Sequence, residues 1–133
     1  MYSPQTEHKW IEFWEKNHTF QKSVESRPAT KPYVFYDGPP FATGLPHYGH
    51  ILSLTIKDLF PRYWTMKGRR VERKWGWDCH GLPIENKVEQ LLGMKSKKEI
   101  EKMGVKAFND KCRAQVLEYA HEWGKTVRRM GKW

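Results

Sequence analysis

A chain of 133 residues is one domain's worth of polypeptide, long enough to bury a core. Its 24 Lys and Arg against 15 Asp and Glu leave a net charge of +9, which suits a polyanion such as RNA or ATP, and its 14% aromatic content argues against disorder. Two cysteines without C-x-x-C spacing argue against a disulfide framework, no window approaches the roughly 18 apolar residues of a membrane span, and Met1 to Glu7 show no charged leader before an apolar run, so the expected setting is the cytoplasm.

Ser3-Pro4 predicts a helix start, with Trp10, Ile11, Phe13 and Trp14 on one broad face. Residues 17–31, polar and ending in Arg-Pro-Ala-Thr-Lys-Pro, read as a connector. Tyr33-Val34-Phe35-Tyr36 reads as a short buried strand that Asp37-Gly38-Pro39-Pro40 ends sharply. From His47 onward, Ile51, Leu52, Thr55, Ile56, Leu59, Phe60 and Tyr63 follow helical spacing. Pro61 cannot bond back to Lys57, so the helix is expected to stop or kink there, and Met66-Lys67-Gly68 closes the segment.

Val71 to Trp75 reads as a second strand, half exposed because of its charges. Strand, crossover helix and strand together predict a βαβ unit and a parallel sheet. Residues 83–92 read as a helix stopped by Gly93, and Ser96-Lys97-Lys98-Glu99 as a capping box opening a short helix that Gly104 ends. Phe108, Cys112, Val116, Tyr119, Ala120, Trp123, Val127 and Met130 then step by three or four along one long amphipathic helix.

The chemistry concentrates in Pro39-Pro40-Phe41-Ala42-Thr43-Gly44-Leu45-Pro46-His47-Tyr48-Gly49-His50. A strand, a loop rich in glycine and proline and a helix N-terminus form the place where open α/β sheets hold nucleotides. There the unpaired N–H groups and the helix dipole favour an anion. Gly44 and Gly49 let backbone approach a ligand, and His47 and His50, one turn apart, can both donate to phosphate oxygens as charge builds on a leaving pyrophosphate. One such donor is worth roughly 3–4 kcal/mol. Asp78, in Gly76-Trp77-Asp78-Cys79-His80-Gly81-Leu82-Pro83-Ile84-Glu85, can pair with an ammonium group or cap the helix that begins near Pro83.

With these residues in place, the chain resembles the N-terminal part of class I aminoacyl-tRNA synthetases. Pro40 to His50 is similar to their HIGH signature, with Tyr48 where the isoleucine stands. Tyr36 to Gly44 and Gly76 to Glu85 resemble, more narrowly, the isoleucine–tRNA ligases. The resemblance implies an α/β fold: the first half of a Rossmann-like nucleotide-binding fold, parallel strands with a crossover helix, plus flanking helices. It divides the chain into an N-terminal helix and connector (1–31), that half-fold (32–104) and an amphipathic helix (105–133) leading toward an absent editing insertion.

The resemblance also implies that isoleucine attacks ATP, supplied as its magnesium complex, and that the acyl group passes to tRNA(Ile). By the same resemblance, His47 and His50 are catalytic. Pro40, Thr43, Gly44, His47, Gly49 and His50 bind ATP, and Gly38, Pro39 and Asp78 bind the amino acid, with no resident metal. The family's lysine-rich KMSKS loop belongs to the second half of its fold. Met94-Lys95-Ser96-Lys97-Lys98 is a lookalike, already accounted for as a capping box. The expected molecule is therefore a fragment, inactive or weak alone, whose partners include the missing second half and the editing domain.

Two other readings stand beside this one. His47, His50, Cys79 and His80 have the residue types of a zinc module, although adjacent Cys79-His80 is a poor chelating pair. The net charge also suits a basic RNA-binding or partner-binding piece with no catalytic role.

Overall fold

Seven helices carry residues 3–133, the part described by the computed structural model. The first, α1 (Pro4–Lys16), starts at Ser3-Pro4, with the capping done by Thr6: the Ser3 N–H donates to Thr6 Oγ1 at 3.4 Å, and the Thr6 hydroxyl donates to the Ser3 carbonyl at 2.6 Å. Of its apolar face Ile11 is buried, whereas Trp10 and Phe13 stay exposed and meet edge to face. The expected connector contains a second helix, α2 (Thr19–Glu25), entered through His18 at φ +50°. Next, α3 (Tyr48–Met66) begins at His47 and runs through Pro61 instead of stopping there. A proline removes one intrahelical bond, and the Asp58–Arg62 ion pair and the Thr65 hydroxyl, which donates to the Pro61 carbonyl at 2.7 Å, tie the turns on either side of it.

Further on, α4 (Leu82–Leu91) starts after Gly81 and is closed by Gly93 at φ +66°. Ser96 opens α5 (Lys97–Met103), which Gly104 ends at φ +94°. The Glu99 carboxylate there accepts from the Lys95 N–H at 3.4 Å, so the reach-back of the expected box falls one residue early. The single long helix expected after Gly104 is two, α6 (Val105–Gln115) and α7 (Ala120–Arg129). Between them the Tyr119 N–H leaves the helical ladder and donates to the Ala42 carbonyl at 3.1 Å.

The α/β expectation is overturned. Helix accounts for 59% of the structure and strand for 3%, with no sheet among the described residues, so these are not a Rossmann-like fold of parallel strands with a crossover helix. The two segments expected as strands carry no regular secondary structure, and isolated parallel bridges beside them join Pro32 with Arg70 and Phe41 with Asp78. Two strands alone make a marginal parallel sheet, which normally needs cover on both faces. Pro39 and Pro40 lack ladder donors, and Glu72, Arg73 and Lys74 crowd the other segment with charge. Nor is Tyr33 to Tyr36 buried throughout. Tyr33 stacks on Trp64 and Phe35 on Phe60, while Val34 and Tyr36 face solvent.

The chain divides into two compact units. One comprises the residues through Asp37, Pro46–Trp75 and Gly124–Trp133; the other comprises Gly38–Leu45 and Gly76–Trp123. The first is organised around charge as much as apolar contact. Asp58, buried on α3, pairs with Arg62 and with Arg73 Nη1 at 3.4 Å, and the Arg62 guanidinium lies 4.8 Å over the Trp133 ring. Trp133 also meets Trp14 edge to face at 5.5 Å. The second unit buries Ile84 and Val88 of α4 with Phe108, Val116 and Trp123.

Removing one partner of a buried ion pair leaves the other charge uncompensated, at about 3–5 kcal/mol. Asp58→Ala is expected to destabilise the chain by about 3 kcal/mol in urea denaturation, well beyond Lys106→Ala, whose ion pair with Asp110 is solvent-exposed. Equal losses for the two variants would remove Asp58 from its central place.

Candidate functional site

His47 is the N-cap of α3, and its imidazole takes the place usually filled by a Ser, Asn or Asp oxygen. Its Nδ1 accepts the Gly49 N–H at 3.1 Å, and His50 Nδ1 accepts the His47 N–H at 3.2 Å, a reciprocal capping box made of two imidazoles. The rings stack with centroids 3.8 Å apart. An Nδ1 that accepts a hydrogen bond carries no proton, so each neutral ring keeps its proton on Nε2. The amides that the bare motif leaves for an anion are therefore partly taken, and Nε2–H is the donor each ring can offer a phosphate.

Gly49 is required by this cap. A Cβ at residue 49 would lie 3.0 Å from His47 Cε1, so any side chain there displaces the capping ring. Gly44 differs: a Cβ there would meet nothing within 4 Å.

The imidazole of His50 titrates below its usual 6.5, first because it is partly buried and second because His47 lies against it. The positive end of the helix dipole works in the same direction. Near Gly38, the Asp37 carboxyl is pushed up by burial, but Lys57 at 2.6 Å and Lys132 at 3.2 Å outweigh that and hold it below the usual carboxylate range.

The expected site residues divide between the two units: His47, Gly49 and His50 belong to the first, and Gly38, Pro39, Pro40, Thr43, Gly44 and Asp78 to the second. In the second unit the Asp78 N–H donates to the Pro40 carbonyl at 2.9 Å, which sets Asp78 beside the proline loop. Among the described residues the Asp78 carboxylate has no hydrogen-bond or ion-pair partner, and α4 is capped at Gly81 without a side-chain bond. The capping alternative for Asp78 thus has no bond to support it. Pro39 lies 3.7 Å from where a Cβ on Gly76 would stand, so Gly76 leaves room for the proline.

Sequence reasoning missed the residues that hold the loop. Ala42 is fully buried, the Lys87 ammonium donates to the Thr43 carbonyl at 2.8 Å, and the Trp123 indole N–H donates to the Gly44 carbonyl at 2.8 Å. No local signal could have found them, since Lys87 lies 44 residues and Trp123 lies 79 residues from its partner. No group of three or more His, Cys, Asp or Glu able to hold a metal occurs among the described residues, which leaves the zinc reading without a site.

Residues 9–133 match the family model described as tRNA synthetases class I (I, L, M and V), and the chain belongs to that family. It is similar to the isoleucine–tRNA ligase of Treponema denticola, 60% identical over 123 residues that make up 92% of this chain and 11% of that protein. Isoleucine–tRNA ligase 2 of Pseudomonas fluorescens is 58% identical over 98% of this chain and 13% of its own length. For the Mycobacterium tuberculosis isoleucine–tRNA ligase the identity is 52%, over 98% of this chain and 12% of that protein. The chain thus spans about an eighth of the length of the curated relatives it matches.

A lowered folded pKa means that the unfolded chain takes up the proton first. The contribution of neutral His50 to stability is therefore complete above 6.5 and is lost as pH falls from 6.5 through the folded midpoint. An NMR titration of the ring should place His50 below 6.5, and His47→Asn, which removes the neighbouring imidazole, should move the midpoint upward. A midpoint at or above 6.5 in the unaltered chain would rule out this arrangement of rings.

Proposed function

We propose that this chain is the N-terminal part of the catalytic domain of an isoleucine–tRNA ligase. In this reading, the isoleucine carboxylate attacks the α-phosphorus of ATP, bound as its magnesium complex, to give isoleucyl-adenylate and pyrophosphate. The isoleucyl group then passes to tRNA(Ile), and the remainder of the ligase completes the site. The observation that carries the proposal is the pair of mutually capped imidazoles at the start of α3, each with Nδ1 turned into the backbone and a proton left on Nε2.

Neutral, preorganised donors of this kind stabilise charge as it develops on a leaving pyrophosphate without reorganising during the reaction. Pro40, Thr43, Gly44 and Gly49 complete the nucleotide-binding set. Asp78 pairs with the α-ammonium group of isoleucine, a role consistent with its unpartnered carboxylate, and Gly38 and Pro39 pack on the aliphatic side chain. The net charge of +9 is compatible with tRNA as the final acceptor.

The phosphate role can be separated from the capping role. In His47→Asn/His50→Gln an Asn at the cap and a Gln at the third helical position keep both capping acceptors while removing both Nε2–H donors. Calorimetry with magnesium-ATP should show affinity falling tenfold or more, at about 1.5–3 kcal/mol per hydrogen bond to a charged group, with the melting temperature little changed. Equal affinity in the double variant would remove the histidines from the phosphate site.

The ammonium role is tested with a non-hydrolysable isoleucyl-adenylate analogue, with and without its α-amino group. Asp78→Asn should weaken binding of the complete analogue by about 1.5–3 kcal/mol and leave the deaminated one unaffected. The assignment fails if both analogues lose affinity equally.

A further inference from the structure

Three successive carbonyls in the loop before α3 each meet a donor from later in the chain: Ala42 the Tyr119 N–H at 3.1 Å, Thr43 the Lys87 ammonium at 2.8 Å, and Gly44 the Trp123 indole N–H at 2.8 Å. A trans peptide points its N–H opposite to its carbonyl, so fixing these carbonyls also aims the N–H groups of Thr43, Gly44 and Leu45. None of those three N–H groups donates to an acceptor among the described residues. The loop has every carbonyl in this stretch held and every amide open, and successive amides held this way suit an anionic oxygen.

The three clamps are not equivalent. Trp123 is 1% exposed and Tyr119 acts through its backbone, so both are part of the packing itself. Lys87 is different: its ammonium is also ion-paired with Glu118 and lies 4.7 Å over the Tyr119 ring, three engagements that set its direction. Its side chain is 20% exposed, and it alone holds the peptide between Thr43 and Gly44.

We propose that Lys87 is a positioning residue for the nucleotide loop. Through the Thr43 carbonyl it holds the Gly44 N–H toward a phosphate or adenylate oxygen without touching the ligand. The proposal rests on the reading that Thr43 and Gly44 belong to the nucleotide site.

Lys87→Met keeps the aliphatic stem and removes the donor, and Lys87→Arg restores a donor and a charge. ¹⁵N relaxation on the full chain should report Thr43 to Leu45 as rigid in the unaltered protein and in Lys87→Arg, with order parameters near ~0.85, and as flexible in Lys87→Met, below ~0.6. The helices should stay unchanged in all three. Affinity for the non-hydrolysable isoleucyl-adenylate analogue should fall at least tenfold in Lys87→Met and recover in Lys87→Arg.

An unchanged loop in Lys87→Met overturns the proposal, and so does a loosened loop that binds the analogue as tightly as before. If the unaltered chain does not bind the analogue, the affinity comparison moves to the full-length ligase carrying the same variants, and relaxation on this chain decides the positioning role. Should Lys87→Met not fold, Glu118→Gln removes the ion pair that directs Lys87, and it is expected to loosen the same three amides, an unchanged loop again overturning the proposal.

Discussion

A carbonyl withdrawn from water needs a donor whether or not a neighbouring strand supplies one. That requirement organises the second unit. Phe41 forms a single bridge with Asp78, so the segment from Pro40 to Gly44 recruits its donors one at a time: the Asp78 amide, the Tyr119 amide, the Lys87 ammonium and the Trp123 indole. The break between α6 and α7 follows from it. The apolar spacing from Phe108 to Met130 suits a continuous helix, but the Tyr119 N–H serves Ala42 instead, and the chain turns at residues 116–119. A loop need thus interrupts a helix that its own sequence favours.

At the start of α3 two demands fall on the same side chains. His47 and His50 cap the helix through Nδ1, and capping fixes both the tautomer and the ring plane, leaving Nε2–H as the donor. Protonating either Nδ1 would turn an acceptor into a donor facing a backbone N–H, at the helix end that disfavours positive charge. Burial and the adjacent ring already hold His50 below its usual value. Gly49 belongs to the same device, since its missing Cβ is what lets the His47 ring lie against the backbone.

Local chemistry was readable in the sequence and long-range pairing was not. Ser3-Pro4, His47, Gly93 and Gly104 bound helices where their side chains or positive φ angles require it. Tyr33 to Tyr36, expected as a buried strand, packs only Tyr33 and Phe35 and leaves Val34 and Tyr36 exposed. What failed was the step from extended segment to sheet, because a strand is defined by its neighbours and the bridges at Pro32 and Phe41 are isolated. On α3 the helical period was right and the face was not. Leu52, Ile56 and Leu59 are exposed, while Leu54, Asp58, Pro61 and Thr65 are buried, since Arg62 and Arg73 draw Asp58 inward. For the site, the sequence located a helix start at His47 but not the cap that His47 and His50 form with each other, and Lys87 looks like any other lysine until Thr43 is seen beside it.

Part of the positive charge is used inside the first unit. Lys57 and Lys132 are tied to Asp37, Arg62 and Arg73 to Asp58, and Arg128 and Arg129 to Glu15 and Glu7. These cations hold the first unit's segments to one another. The second unit uses charge in the same internal way: Lys87, paired with Glu118, holds the Thr43 carbonyl and so fixes the loop that precedes α3.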